Sequence, residues 1–215
     1  MQSKKYSLIY CDPPWKYRDS ANAGERGAAH KYPVMNLQDL CRLPVWDLAA
    51  DDCLLAMWWV GPMPLEAIKL VEAWGFRLMT MKGFTWHKTN KNAGGSAMGM
   101  GHLTRGNTED MLFAVKGKLL KRLDAGIIQH VSAPRGRHSE KPDIFRKLLV
   151  QMVGDLPRIE LFCRDKKIGW DTWGNECSCD VQVHPAKFTR RWPDEKRIDV
   201  IGQNGNTGEH YSNKE

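Results

Sequence analysis

Long apolar runs are absent. The longest, Cys53 to Val60 (CLLAMWWV), has eight residues, against the roughly 20 that a membrane-spanning helix needs, so no membrane partner is expected. The opening residues, MQSKKYSLIYCDPP, lack an apolar core and a small-residue cleavage site, so no export signal is expected. Cysteine is scarce. Six stand at 11, 41, 53, 163, 177 and 179 without a paired framework, four of them in apolar segments. They read as reduced, buried thiols of a cytoplasmic protein. Cys177-x-Cys179 with His184 lacks a matching second ligand pair, so no metal is expected. A phosphate-cradling fingerprint is missing as well. Gly94 to Gly101 (GGSAMGMG) has neither the strand-then-helix setting nor a Lys-Ser/Thr ending, and reads as a mobile lid.

What is present is an ordinary globular composition carrying an uneven charge. The 215 residues are 42% hydrophobic and 27% charged, with a net charge of +7. From Met81 to Lys147 there are 13 Lys and Arg against 5 Asp and Glu, whereas the segment from Phe188 onward has five of each sign. The excess therefore lies in one middle stretch, the footprint of a polyanion partner or of a solvated basic face. Residues 1–187 read as one domain and 188–215 as a polar tail.

Strand-like and helix-like segments alternate, which indicates an α/β sheet. Residues 5–10 are β-prone and end at a proline pair. Asn36 to Ala49 is weakly helical with a break at Pro44, Leu54 to Val60 a buried strand, and Pro64 to Trp74 a helix stopped by Gly75. Phe76 to Trp86 is extended, 87–106 a long loop, and Met111 to Val115 and Gly126 to Val131 are strands. Ser139 is expected to cap a helix through about Val153, followed by a strand at 158–163, a turn over 165–175 and a further strand at 180–183.

The sharpest local signal is Asp12-Pro13-Pro14-Trp15, directly after an apolar strand. Ligands of open α/β sheets bind outside the carboxyl ends of strands. Two prolines aim the carboxylate rigidly and leave carbonyls without ladder partners, and the tryptophan offers a flat face. The set suits a flat heterocycle held by an exocyclic amino group. Such a nitrogen is a poor nucleophile, because its lone pair is spread into the ring. Two acceptors on its N–H groups localise that lone pair, so a methyl group held in line can be attacked; the protein supplies positioning and preorganised electrostatics. An ordinary turn is the other reading of these four residues.

A family resemblance, carried by an ordered set of blocks, favours the first reading. After DPPW come His30-Lys31-Tyr32-Pro33, Leu54 to Gly61, Trp74-Gly75-Phe76, Trp86-His87-Lys88-Thr89-Asn90, Gly101-His102-Leu103, Glu109, Ala114 to Gly117, Ser139 to Asp143, Ile159 to Arg164 and Trp170 to Glu176. Over residues 6–178 the chain resembles the MT-A70 family of adenine-N6 methyltransferases. The resemblance implies a Rossmann-like, class I S-adenosylmethionine-dependent fold with permuted, β-type motif order, and S-adenosylmethionine as cofactor. It implies catalytic Asp12, Pro13, Pro14 and Trp15, with Asp12 also holding the donor. Tyr32, Trp58 and Trp86 would form the adenine pocket. Lys141, taken to lie just inside a helix N-terminus, would pair with the donor's carboxylate, and Glu160, Arg164, Asn175 and Glu176 would bind the rest of the donor. Relatives carry a further segment before DPPW; Cys179-Asp180-Val181 is expected to fill its place.

Short chains of this type imply DNA as partner, with RNA, or a catalytically inert scaffold, as alternatives, and a homodimer as the working state. Duplex DNA would have its adenine flipped out of the stack. Lys88, Lys91, Arg105, Lys116, Arg135 and Arg137 are the expected nucleic-acid contacts.

Overall fold

The computed structural model describes residues 4–16, 34–91, 94–99, 103–137 and 140–184. The polar tail therefore lies outside the described residues, as does Tyr32. Seven strands form one sheet: β1 (Tyr6–Cys11), β2 (Ala49–Trp59), β3 (Arg77–Thr89), β4 (Thr108–Lys116), β5 (His130–Pro134), β6 (Arg158–Leu161) and β7 (Asp171–Trp173). Their spatial order is β5-β3-β4-β2-β1-β6-β7. Only β4 runs against its neighbours.

The central strands are buried on both faces, which is why they read as near-continuous apolar runs. Alternation divides them between two cores. Ile9, Cys11, Leu55, Met57, Leu112 and Ile159 pack on one side. That side is covered by α1 (Leu37–Cys41), α2 (Val45–Leu48) and α3 (Pro64–Ala73). Leu8, Tyr10, Ala56, Trp58 and Met111 pack on the other. There Phe145, Leu149 and Val153 of α4 (Ile144–Val153) come one turn apart and face the sheet. This three-layer sheet is the Rossmann-like methyltransferase fold that the motif order implies.

β1 is the pivot. It pairs with β2 on one side and with the much later β6 on the other. Strand order reverses at that point, and a crevice opens outside the carboxyl ends of β1 and β6, where α/β sheets bind ligands.

Three sequence expectations are corrected. The strand expected at Gly126 to Val131 lies instead at His130–Pro134, because β3 is bulged between Leu78 and Phe84 and β5 pairs only with the regular stretch Thr85–Thr89. Three residues of the expected turn, Asp171–Trp173, add an edge strand to β6. Residues 180–183 form no strand, since Asp180 turns its carboxylate onto the Thr172 backbone N–H (3.0 Å) and hydroxyl (3.1 Å).

The end of α3 shows how tightly the layers are fixed. Phe76 N–H donates to Val71 O (3.0 Å) and Gly75 N–H to Glu72 O (2.9 Å), a six-to-one and five-to-two closure. Gly75 adopts φ +79°, and a Cβ there would overlap the Trp46 ring of α2. Gly75→Ala is expected to lower stability by about 2–3 kcal/mol, from left-handed strain plus displacement of Trp46. Urea unfolding reads the change; a loss below about 0.5 kcal/mol would contradict this packing.

Candidate active site

The site is built at the carboxyl end of β1. Trp15 N–H donates to Pro13 O (2.8 Å), closing a three-residue turn around Pro14, whose fixed φ suits it. Met35 N–H donates to Pro14 O (3.0 Å), and the Trp15 indole N–H to Trp58 O (3.3 Å). The proline carbonyls are thus not wholly free, as the sequence suggested. Pro13 O accepts one bond internally and keeps its second lone pair. Trp15 is buried, its ring fixed between the main core and the crevice.

The crevice has a volume of about 540 Å³, within the ordinary range of small-molecule sites. Its floor carries four alternating charges. Lys141 Nζ donates to Asp12 Oδ2 at 2.6 Å and lies 3.2 Å from Glu109 Oε2. Glu109 Oε1 in turn meets Lys88 Nζ at 2.6 Å. Burial pushes Asp12 up and Lys141 offsets that only in part, so its carboxyl sits above the ordinary aspartate value. Burial also pushes Glu109 up, but Lys141 and Lys88 together overcome this and hold it below its usual range. Burial pulls Lys141 down, yet its two carboxylates outweigh that and fix it as a cation. Lys141 stands two residues before Asp143, the N-cap of α4, and not inside the helix as expected. It is held by carboxylates and by the Trp58 ring 5.5 Å away.

The far end of the crevice is formed after β6 and β7. Phe162, Arg164, Asn175 and Glu176 line it. Phe162 has φ 61°, a left-handed conformation that costs a bulky residue about 1–3 kcal/mol. Trp74 stacked on one side and Trp173 edge-on at 5.4 Å hold its ring there. A Cβ at Gly174 would strike the Cys163 carbonyl, so glycine lets the chain after β7 turn back toward the crevice. Arg164 Nε and Glu176 Oε1 stand 3.9 Å apart across this end.

Several expected site residues are placed elsewhere. Glu160 does not line the crevice. Its carboxylate is taken by Arg146, with Nε to Oε2 at 2.7 Å and Nη2 to Oε1 at 2.5 Å, both side chains buried. Trp86 is core, its indole N–H on Ala133 O at 2.8 Å. Trp58 is both wall and core: it lines the crevice, donates to Tyr10 Oη at 2.7 Å, and meets Phe145 edge-on. Asp180, bonded to Thr172 and to Lys166 (2.5 Å), does not line the crevice.

The basic residues also divide. Lys116 sits at the opposite end of the sheet, its ammonium on Ala49 O (3.0 Å) and 3.9 Å from the Trp46 ring centre, which removes it from any shared face with the crevice. Lys88 lies inside the crevice. Lys91, Arg105 and Arg135 are exposed near its rim, while exposed Arg137 pairs with Asp165 at 2.6 Å. Glu109 appeared in the sequence only as a family block with no role. Nothing in its neighbourhood there marked it as the bridge between two lysines drawn from β3 and the turn before α4.

A carboxylate aimed by a proline corner, a cation fixed between two carboxylates and a second polar end together form a site that can hold a zwitterion alongside a flat base. Comparison with known proteins identifies the family. The MT-A70 family model matches residues 6–176. The chain belongs to the MT-A70 family. The chain is 37% identical over 190 residues to a type II methyltransferase, M.MunI, of a Mycoplasma species, covering 80% of this chain and 78% of that one. It is 26% identical to the human N(6)-adenine-specific methyltransferase METTL4 and 28% identical to the N6-methyladenosine RNA methyltransferase MTA1 of Cryphonectria parasitica. The matches span 38% and 51% of those two longer proteins, and 80% of this chain in each case. This MT-A70 protein is a methyltransferase, and no helix among its described residues is long and apolar enough to cross a membrane.

The Arg146–Glu160 pair yields a direct test of its structural role. Arg146→Ala leaves a buried carboxylate without its partner, which is expected to cost about 3–5 kcal/mol. Chemical denaturation at neutral pH measures it; a loss under about 1 kcal/mol would return Glu160 to the list of free ligands.

Proposed function

We propose that this MT-A70 protein transfers a methyl group from S-adenosylmethionine to the N6 amino group of adenine in DNA. The single observation that carries the reading is the meeting of Asp12-Pro13-Pro14-Trp15 with Lys141, Arg164, Asn175 and Glu176 in one crevice at the strand-order reversal. Likeness to the type II methyltransferase exceeds likeness to the RNA methyltransferase in identity and in the share of the relative covered, which favours DNA.

The crevice residues fit the donor's chemistry. Lys141 can meet its carboxylate, and Asp12 its ammonium. Arg164, Asn175 and Glu176 suit a ribose and an adenine edge. When bound, S-adenosylmethionine supplies a methyl group on a positively charged sulfur. The chain's own part is positioning. Asp12 Oδ and the spare lone pair of Pro13 O accept from the adenine amino group, and Trp15 and Trp58 bound the slot into which the ring slides. Asp12 is also the carboxylate within reach of the proton that leaves N6 when the new C–N bond forms. No strong base is needed, because methylation itself acidifies that nitrogen. Orientation and fixed dipoles account for the rate gain, as in other group transfers without covalent intermediates.

Methyl transfer from labelled S-adenosylmethionine to matched single-stranded DNA, duplex DNA and RNA, with bases identified by mass spectrometry, tests the reading. N6-methyladenine in DNA is the expected product. Label in RNA alone would overturn the substrate, and no label anywhere would overturn the function. Asp12→Ala is expected to abolish transfer, by at least about a hundredfold, in a protein that still folds by circular dichroism; turnover at the unmodified rate would remove Asp12 from the mechanism.

Acid dependence offers a second check. The ionised form of Asp12 is the acceptor, and its pKa is raised, so kcat should fall with decreasing pH through a value above that of ordinary aspartate. Lys141 is what opposes that rise. In Lys141→Met, at saturating donor, the acid limb should move to still higher pH. An unmoved limb would show that another group controls it.

A further inference from the structure

The crevice rim on the β3 side is tied down more closely than a glycine-rich lid requires. Past Thr89 the chain folds back. Asn90 N–H donates to Gly95 O (2.9 Å), Ala97 N–H to Lys88 O (2.8 Å), and Thr89 and Ser96 form an antiparallel bridge. Gly99 N–H then donates to Gly106 O (2.6 Å), and Gly99 and Gly106 both line the crevice. A short return of this kind, outside the main sheet, is marginal on backbone bonds alone.

His87 supplies the tie. It lies on β3 directly opposite Ser132 of β5 in the ladder. Its Nδ1 is 3.1 Å from Ser132 Oγ and its Nε2 is 2.7 Å from Ser96 Oγ. The ring stacks on His130, with centroids 5.6 Å apart and planes 23° from parallel. One imidazole thus fastens the returning rim segment to β3 and to the edge strand β5. The chemistry is tolerant. A neutral ring donates from one nitrogen and accepts at the other, and a serine hydroxyl serves either way.

We propose that His87 is a positioning residue that latches the 96–99 rim beside the crevice, and that the nucleic acid crosses this rim on its way to Asp12. The inference rests on the function proposed above and assigns it a side of entry. Exposed Lys91, Arg105 and Arg135 stand at the same end of β3 and β5, where a phosphate backbone crossing the rim would meet them. The donor residues Arg164, Asn175 and Glu176 follow β6 and β7, at the other edge of the sheet. Loosening the latch should therefore weaken nucleic-acid binding and spare the donor.

His87→Phe keeps the ring and its stacking but removes both hydrogen bonds. Ser96→Ala removes one hydroxyl. Affinity for a fluorescent adenine-containing DNA oligonucleotide is read by anisotropy, affinity for S-adenosylmethionine by calorimetry, and KM and kcat by methyl transfer. His87→Phe should weaken oligonucleotide binding about tenfold and raise KM in step, with kcat and donor affinity within twofold of the unmodified protein. Ser96→Ala should move the same quantities in the same direction. The double variant should be no weaker than His87→Phe alone, the mark of a shared interaction. If His87→Phe does not fold, the Ser96→Ala result decides. Unmodified protein that methylates DNA, with both variants binding it equally well, overturns the latch alone, and so does donor affinity falling together with oligonucleotide affinity. Unmodified protein that neither binds nor methylates any oligonucleotide overturns the proposed function and the latch with it.

Discussion

Lys141 between Asp12 and Glu109 is the contact on which the site depends. A carboxylate drawn out of water needs a partner at hydrogen-bond distance, and a cation drawn out of water needs the same. Asp12, Lys141, Glu109 and Lys88 meet that condition as a row of alternating charge with no net excess. The row draws on four places in the fold: the end of β1, the turn before α4, and the facing ends of β3 and β4. Each of those elements is held in place partly by what the row demands of it. A neutral row also leaves the crevice without strong bias toward ligands of either sign. That suits a site which, on the proposed reading, must take a zwitterionic donor and a nearly neutral base together.

Beneath the row lies a packed and fully bonded support. Trp58 receives the Trp15 indole N–H on its carbonyl, donates its own to Tyr10, and presents its ring to Lys141 above and Phe145 below. Arg146, the residue after Phe145, lies over Tyr10 and grips Glu160 on β6. Burial pushes the Tyr10 hydroxyl up, beyond the reach of the neighbouring Arg146 charge to lower it, so it stays a neutral acceptor for Trp58. Groups satisfied in this way have little freedom to rotate. A proline corner whose angle matters to a fraction of an ångström needs such a bed.

The sequence made the centre legible and the edges not. β1, β2 and β6 could be read because they are near-continuous apolar runs buried on both faces, and α3 because its apolar residues recur at helical spacing. DPPW could be read because it follows such a strand. The edge strands β5 and β7 could not, because their pairing is set by neighbours: by where the bulges of β3 end, and by where Gly174 turns. Glu160 and Trp86 stand outside the crevice lining for a related reason. A side chain's direction at a strand end depends on partners such as Arg146 and Ala133 that lie far along the chain. Glu109 and His87 make the same point from the other side, since each gains its place from residues on two different elements.

Charge is where counting along the chain and geometry part most clearly. The basic stretch carries 13 Lys and Arg, but its members do different work. Lys116 rests on Trp46 and two carbonyls at the far end of the sheet. Arg146 is buried against Glu160, and Lys88 and Lys141 belong to the crevice row. Arg137 is matched by Asp165. All of these but Lys116 are matched by carboxylates and contribute little to the field that a distant polyanion feels. Of the exposed cations in this stretch, Lys82, Lys118, Lys121, Arg122 and Lys147 lie elsewhere, while Lys91, Arg105 and Arg135 stand together at one end of β3 and β5 and border the rim that His87 fastens. On the proposed reading, a strand drawn by that subset reaches the crevice from the β3 side, with its bases toward Asp12 and its backbone on the rim. The turns after β6 and β7 are then left for the donor, and the two ligands approach one carboxylate from opposite edges of the same sheet.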